Sequence, residues 1–84
     1  MVGIALIREE YSPELQSDDK VCIGVFKTYE SALIAMAENR REWKAANDVH
    51  YEDEKSLSLG LAEYSGTVSM NVIYEMIPVQ KIEA

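Results

Sequence analysis

The chain has 84 residues, of which 48% are hydrophobic, and its net charge is -7, with 15 acidic and 8 basic residues. This length makes one domain, residues 1–84, and the apolar fraction is high enough for a folded core. The negative charge argues against direct nucleic-acid binding, which needs a positive stripe that faces the phosphates. No apolar run approaches the roughly 20 residues that span a bilayer, so we expect no membrane partner.

The sequence also indicates a reducing compartment. Its one cysteine, Cys22, excludes an internal disulfide. The chain has no basic stretch followed by an apolar segment, as a secretory leader would have. We therefore expect a cytoplasmic protein.

The first part of the chain predicts two strands joined by an acidic loop. Residues 2–10 carry apolar side chains on both faces, as a central strand does. Residues 9–20 contain the turn signal Ser17-Asp18-Asp19 and predict a loop. Residues 21–27 are rich in β-branched and aromatic side chains, which favour a second strand.

Residues 28–47 are the one segment with sustained helical periodicity. Thr28 is a suitable N-cap, Asn47 is a suitable C-cap, and no Gly or Pro lies between them. Leu33, Met36 and Trp43 share one arc of the predicted helix. Apolar side chains at this spacing are typical of a buried helix face, so we expect them in the core.

The second half predicts another acidic loop, residues 48–55, and then a hairpin. Residues 56–64 and 67–77 flank Ser65-Gly66, which suits a two-residue turn. The expected cross-strand pairs are Leu61 with Met70, Leu59 with Val72, and Leu57 with Tyr74. All six side chains would lie on one face of the sheet.

The element order therefore predicts an α+β fold, β-β-α-β-β. We expect a four-stranded antiparallel sheet with one helix packed on one face, because a single amphipathic helix and a half-apolar sheet cover each other.

This topology places both acidic loops at one end of the sheet. An acidic end would attract a basic protein partner, although acidic loops also serve solubility alone. The candidate partner-binding residues at this end are Asp18, Asp19, Asp48, Glu52, Asp53 and Glu54.

The sheet face away from the helix is a second candidate surface. Ile7, Ile73 and Ile77 are expected there. Ala5 and one alternate set from the second strand would join them, either Cys22 and Phe26 or Val21, Ile23 and Val25. An apolar patch on so small a protein usually marks an interface, with a second copy or with a different protein.

The sequence favours no catalytic role. Cys22 and His50 are the one thiol and the one imidazole, and no residue is evident that would orient either as a nucleophile or base. The alternation of Asp48, His50, Glu52 and Glu54 would suit at most a weak cation site, and it matches no recognised metal-ligand spacing. We expect no cofactor, no metal and no catalytic residue.

The run Gly24-Val25-Phe26, followed by Thr28, Glu30 and Ala32, resembles a pattern in small bacterial and phage proteins. The resemblance implies a small protein of a mobile element, and some such proteins bind and block a host protein. Three functions stay open. They are a protein-binding regulator or inhibitor, a homodimeric structural domain with no other ligand, and a small metal- or ligand-binding protein.

Overall fold

The computed structural model describes residues 2–53, 59–66 and 70–80. Their elements are β1 (Val2–Ser12), β2 (Ser17–Phe26), α1 (Tyr29–Ala46), β3 (Val49–Glu52), β4 (Glu63–Gly66) and β5 (Asn71–Gln80). The strands form one sheet of five in the order β2-β1-β5-β4-β3, and every neighbouring pair is antiparallel. The α+β class with one helix on an antiparallel sheet is confirmed, whereas the expected count of four strands is wrong.

Helix α1 begins at the predicted N-cap. Thr28 has an extended backbone, and its side-chain oxygen accepts a hydrogen bond from the Ser31 amide at 3.1 Å. Asn47 ends the helix in an extended conformation, with φ −135°, rather than in the left-handed one. Its side-chain amide donates to the Trp43 carbonyl at 2.9 Å, which satisfies one of the free carbonyls of the last turn.

The core lies between α1 and the sheet. Met36 and Trp43 face the buried Tyr64 and Tyr74, whose rings meet edge to face with centroids 6.2 Å apart. Trp43 lies 5.9 Å from the Tyr64 ring. Aromatic pairs at such distances add about 1 kcal/mol each beyond the burial of their area. Leu6, Ala62 and Val72 complete this core cluster, and Ala32 on α1 is also fully buried.

A polar contact joins the middle of the helix to the sheet. The Asn39 side-chain oxygen accepts hydrogen bonds from the Arg8 guanidinium, at 2.8 Å, and from the Tyr74 hydroxyl. Burial raises the pKa of Tyr74 to about 12. The hydroxyl therefore stays protonated at neutral pH and acts as a donor.

The first acidic segment forms a hairpin, and the loop expected over residues 9–20 is wrong. Strand β1 continues to Ser12 and β2 begins at Ser17, so that only a four-residue turn separates them. Gln16 closes this turn with a left-handed φ of 52°. These strand ends could not be predicted from the sequence. The ends of β1 and β2 next to the turn carry polar side chains on both faces and show no apolar alternation.

The second acidic segment also contains a strand, which accounts for the fifth member of the sheet. Residues of β3 pair with β4 at the sheet edge, and the register shifts between Val49 and Tyr51. Short, charged edge strands with irregular pairing give a weak sequence signal, although they protect a sheet from unwanted pairing.

The expected register of the last hairpin is wrong. Tyr64 pairs with Val72, and the Gly66 amide donates to the Met70 carbonyl, so Ser65 and Gly66 belong to strand β4 and not to the predicted turn. Leu59 is 72% exposed and pairs with no strand, while Leu57 lies outside the described residues. Gly60 has a left-handed φ of +79°, which interrupts the extended backbone that the leucine alternation suggests.

Candidate functional site

The most distinctive surface is the side of the sheet that faces away from α1, which we call the open face. In β5, Val72 and Tyr74 are buried under the helix. Side chains alternate between the two faces of a strand, so Ile73, Glu75 and Ile77 lie on the open face. No element among the described residues packs over it.

One half of the open face is an apolar patch, formed by Ala5, Ile7, Val25, Ile77 and Val79. Ala5 pairs with Val25 on one side and with Ile77 on the other. Val25 is 62% exposed and Ile77 is 44% exposed, while Ala5 is buried between them. The patch is therefore continuous across three neighbouring strands and accessible to solvent.

Gly3 shapes the lower border of this patch. A Cβ atom at Gly3 would lie only 2.9 Å from Cγ1 of Val25 and 3.7 Å from Cγ2 of Val79. The missing side chain therefore lets Val25 lie close to β1, whereas Val79 would be in ordinary contact with a Cβ atom.

A bulge in β2 decides which of its side chains reach the open face. The β1–β2 register shifts between Leu6 and Ile7, which leaves Ile23 without a partner on β1. Cys22 and Val25 consequently lie on the open face, whereas Ile23 and Phe26 pack against the core. Neither alternate set expected from the sequence is correct as a whole, because a regular alternation cannot include the extra residue.

The other half of the open face carries a carboxylate cluster, formed by Glu9, Asp18, Glu63 and Glu75. Glu9 on β1 and Glu63 on β4 both pair with Ile73 on the strand between them. Glu75 lies two residues further along β5, opposite Ile7. Glu9, Glu63 and Glu75 are thus interleaved with the isoleucines of the face, whereas Asp18 lies on the edge strand β2.

Two of these carboxylates are held by neighbours. The Tyr11 hydroxyl donates to Oε1 of Glu63 at 2.9 Å, and burial together with this contact raises the pKa of Tyr11. The pKa of Glu9 is raised, chiefly by a hydrogen bond with the Asp18 carboxyl and then by burial. The Lys20 ammonium, 4.0 Å from Glu9, opposes that rise only in part.

The sequence-predicted acidic end is divided between two edges of the sheet. The register forms a row from Asp18 through Tyr11, Asn71 and Ser65 to Tyr51, so Asp18 and the start of β3 lie at the same end. Four strand spacings of about 4.8 Å place those edges about 19 Å apart. Asp19 pairs with Glu10 and lies on the helix side of β2, away from Asp18.

The remaining acidic candidates differ in their surroundings. Glu52 is bound by Arg40 and by Lys44 at 2.7 Å, and its side chain is only 12% exposed. Asp53 is half-buried and its amide donates to the Glu63 carbonyl at 3.1 Å. Asp48 is exposed, and Glu54 lies outside the described residues. Their role as a partner-binding surface stays a prediction.

Cys22 and His50 are far from each other. Cys22 lies on β2 and His50 on β3, the two edge strands of the sheet. The width of five strands keeps them about 19 Å apart, well beyond the hydrogen-bond distance that a nucleophile–base pair needs. The sequence pattern that would suit a weak cation site includes Glu52. Its carboxylate is already bound to Arg40 and Lys44.

A cleft of about 290 Å³ lies beside the second half of the helix, lined by Ala37, Arg40, Arg41 and Lys44. Glu52 neutralises part of its positive charge, because it binds both Arg40 and Lys44. The cleft therefore offers an anion much less charge than its three cations suggest.

Comparisons with known proteins identify no relative. No protein-family model matches the chain, and neither a curated protein nor a solved structure is similar to it. Within the described ranges, no helix has the length and hydrophobicity that a bilayer crossing requires. In the same ranges, no three His, Cys, Asp or Glu side chains are placed to share a metal ion.

Sequence reasoning located the isoleucines of the open face but not the polar side chains between them. Tyr11, Glu63 and Glu75 were not singled out, because each is significant only in its cross-strand register. The sequence does contain a pattern that could identify Glu75. Its immediate neighbours Tyr74 and Met76 point to the opposite face of the strand, and Ile73 and Ile77, two residues away, share its face. A charged residue among apolar ones on one face of a strand is typical of a binding surface rather than of a core.

Proposed function

We propose that this domain is a non-enzymatic protein-binding module and that the open face is its binding surface. The observation that carries the proposal is the uncovered apolar patch, in which Val25 is 62% and Ile77 is 44% exposed. Exposed, contiguous apolar side chains on a small domain usually mark a protein interface. Carboxylates interleaved with them give such an interface specificity.

The placement of the reactive side chains supports a binding role over a catalytic one. Cys22 and His50 lie on opposite edge strands. Glu52 is committed to Arg40 and Lys44 within the fold. The described residues thus offer groups for recognition on the open face, whereas the candidate reactive groups are kept apart.

A second candidate is a homodimeric structural domain. Strand β2 is ten residues long and, among the described strands, pairs only with β1, so no described strand pairs with its outer edge. Exposed strand edges readily pair with another chain. The phage or mobile-element regulator suggested by sequence resemblance is a narrower form of the first candidate, in which the bound protein is inhibited.

Three forms of the domain test the proposal: the wild type, Ile77→Asp and Ile34→Asp. Ile34 is 63% exposed on the helix, so Ile34→Asp adds the same charge away from the open face. Each form is immobilised, exposed to a cell lysate, and its retained proteins are quantified by mass spectrometry. We expect a partner that the wild type and Ile34→Asp retain and Ile77→Asp loses.

Equal retention by all three forms would exclude the open face as the binding surface. Light scattering behind size exclusion, on the same proteins, addresses the second candidate. A wild-type dimer that persists in Ile77→Asp would favour pairing through the β2 edge instead. Thermal unfolding of each form shows whether it is folded under the conditions used.

A further inference from the structure

On the premise that the open face is a binding surface, we infer that its occupant is a cationic protein surface. Lys or Arg side chains of the partner would face the carboxylate cluster, and aliphatic side chains would face the apolar patch.

The first step is the charge of the face. Its described strand residues include the carboxylates Glu9, Asp18, Glu63 and Glu75, with Lys20 as the one Lys or Arg among them. Lys20 already lies beside Glu9, at 4.0 Å. The face as a whole therefore has an excess of negative charge that the described residues do not balance.

The second step is the arrangement of these charges. Glu9 and Glu63 flank Ile73 on either side, so their Cα atoms lie about 10 Å apart across the intervening strand. Glu75 stands between Ile73 and Ile77 along β5. A partner that covers the isoleucines must also cover these carboxylates. A purely apolar partner would bury them without compensation, which is strongly unfavourable.

The third step concerns a second copy of the chain. A twofold dimer that used the open face would place identical surfaces against each other. With the axis through the carboxylate cluster, like charges would meet at close range. With the axis between the two halves of the face, the carboxylates would be buried against the apolar patch of the partner without compensation. Both arrangements disfavour the complex. Within one protomer, Glu9 is already influenced by the negative charges of Asp18 and Glu75, which raise its pKa.

The fourth step is preorganisation. The Tyr11 hydroxyl fixes Glu63 by a hydrogen bond over β5, and the pairing of three neighbouring strands fixes the spacing of Glu9, Ile73 and Glu63. Side chains held in place before binding lose less conformational entropy in the complex. The face is therefore suited to a partner whose cations have a matching spacing.

A pair of synthetic peptides tests this inference directly. One is a short peptide of alternating lysine and leucine, and the other alternates glutamate and leucine at the same length. Each is titrated into the isotopically labelled domain at low salt and followed by amide NMR shifts. We expect the lysine peptide to shift the amides of Ile7, Glu75 and Ile77, and the glutamate peptide to leave them unchanged.

Charge reversal provides the matched control. Glu75→Lys should weaken the lysine peptide about tenfold, because it replaces an attraction by a repulsion at the centre of the face. Glu38→Lys makes the same change in net charge at an exposed helix position and should leave the affinity within about twofold of the wild type. Added salt should weaken the wild-type interaction.

The results separate this inference from the proposed function. Equal binding of both peptides at the open face would overturn the cationic partner and leave a protein-binding face in place. Shifts confined to the helix, or no binding of the lysine peptide at low salt, would also overturn it. The retention experiment with Ile77→Asp tests the face itself, whatever the charge of its partner.

Discussion

The hydroxyl of Tyr11 and the carboxylate of Glu63 meet at 2.9 Å across the open face. The two residues belong to β1 and β4, and β5 lies between these strands. Their hydrogen bond therefore joins strands that share no backbone pairing, and it does so on the side of the sheet that the helix leaves uncovered. This cross-strand contact connects the stability of the sheet with the order of the carboxylate cluster.

Replacing Tyr11 by Phe should remove this contact with little change in volume. We expect a loss of about 1 kcal/mol in the free energy of unfolding, the net value of a hydrogen bond to a partly exposed charged group. Chemical denaturation measures it. Tyr51→Phe removes a hydroxyl from a residue that is 55% exposed, and it should unfold like the wild type. Equal stability of both variants would show that the Tyr11 hydroxyl does not stabilise the sheet.

The pKa of Glu9 leads to a prediction about pH. Its pKa is raised above the ordinary 4.5, mainly through its hydrogen bond with Asp18, so the folded state binds this proton more tightly than the unfolded state. Protonation of Glu9 therefore stabilises the fold fully when the pH is below the ordinary pKa of 4.5. This stabilisation is lost as the pH rises through the pKa of the folded state. Above the folded pKa, an ionised Glu9 faces Asp18 and Glu75 without that proton.

Glu9→Gln keeps a hydrogen-bond donor toward Asp18 and removes the charge. We expect it to melt at a higher temperature than the wild type at about pH 7, with the difference shrinking toward about pH 4. Thermal unfolding over this range measures the difference, in which the titration of carboxylates that do not interact with Glu9 cancels. Glu38→Gln, at an exposed helix position, is the control and should follow the wild-type curve. If the melting temperatures of Glu9→Gln and the wild type differed by the same amount at every pH, the pKa of Glu9 would not be raised in the folded state.

Much of the fold could be predicted because its signals are local. Thr28 and Asn47 bound the helix through side-chain contacts within one turn, and those contacts depend on few neighbours. Val72 and Tyr74 could be assigned to the helix face because their strand alternates strongly.

The remaining features could not be predicted because they depend on register. The leucine alternation before Tyr64 is a persuasive strand pattern, and the left-handed φ of Gly60 interrupts it within the described residues. The bulge at Ile23 likewise reassigns Cys22 and Val25. The adjacent Gly24 is typical of a bulge, but it does not determine which neighbouring residue is the extra one. For the same reason, the open face could be expected to carry isoleucines but not the carboxylates that lie between them.

Gly60 should tolerate no side chain. Its φ is +79°, and a Cβ atom would lie 2.6 Å from the Met76 sulfur and 2.9 Å from the Tyr29 hydroxyl. Gly60→Ala therefore combines backbone strain with a steric overlap, and we expect a loss of about 2 kcal/mol in stability. Gly66→Ala is the matched control, because its Cβ atom would meet the Trp43 ring at an ordinary 3.4 Å. Similar denaturation midpoints for the two variants would show that residue 60 has neither the left-handed backbone nor the close contacts described here.

Glu52 should stabilise the fold, whether or not it also contributes to an acidic end. Its carboxylate joins β3 to the helix by binding Arg40 and Lys44, and the Arg40 guanidinium also lies 5.9 Å from the centre of the Tyr64 ring. Glu52→Gln leaves two cations facing each other beside a buried aromatic ring. We expect a loss of about 2 kcal/mol, less than for a fully buried pair because Lys44 is 40% exposed.

Denaturation at low and at high salt measures the contribution of Glu52. The difference between wild type and Glu52→Gln should shrink as salt screens the exposed Lys44, while the part due to the more buried Arg40 persists. Glu38→Gln again controls for the change in net charge, because Glu38 is an exposed helix residue. If Glu52→Gln were as stable as the wild type but failed to retain a partner, Glu52 would belong to the acidic binding end instead. The attachment of β3 to the helix would then depend on Val49, which packs against the core from the same strand.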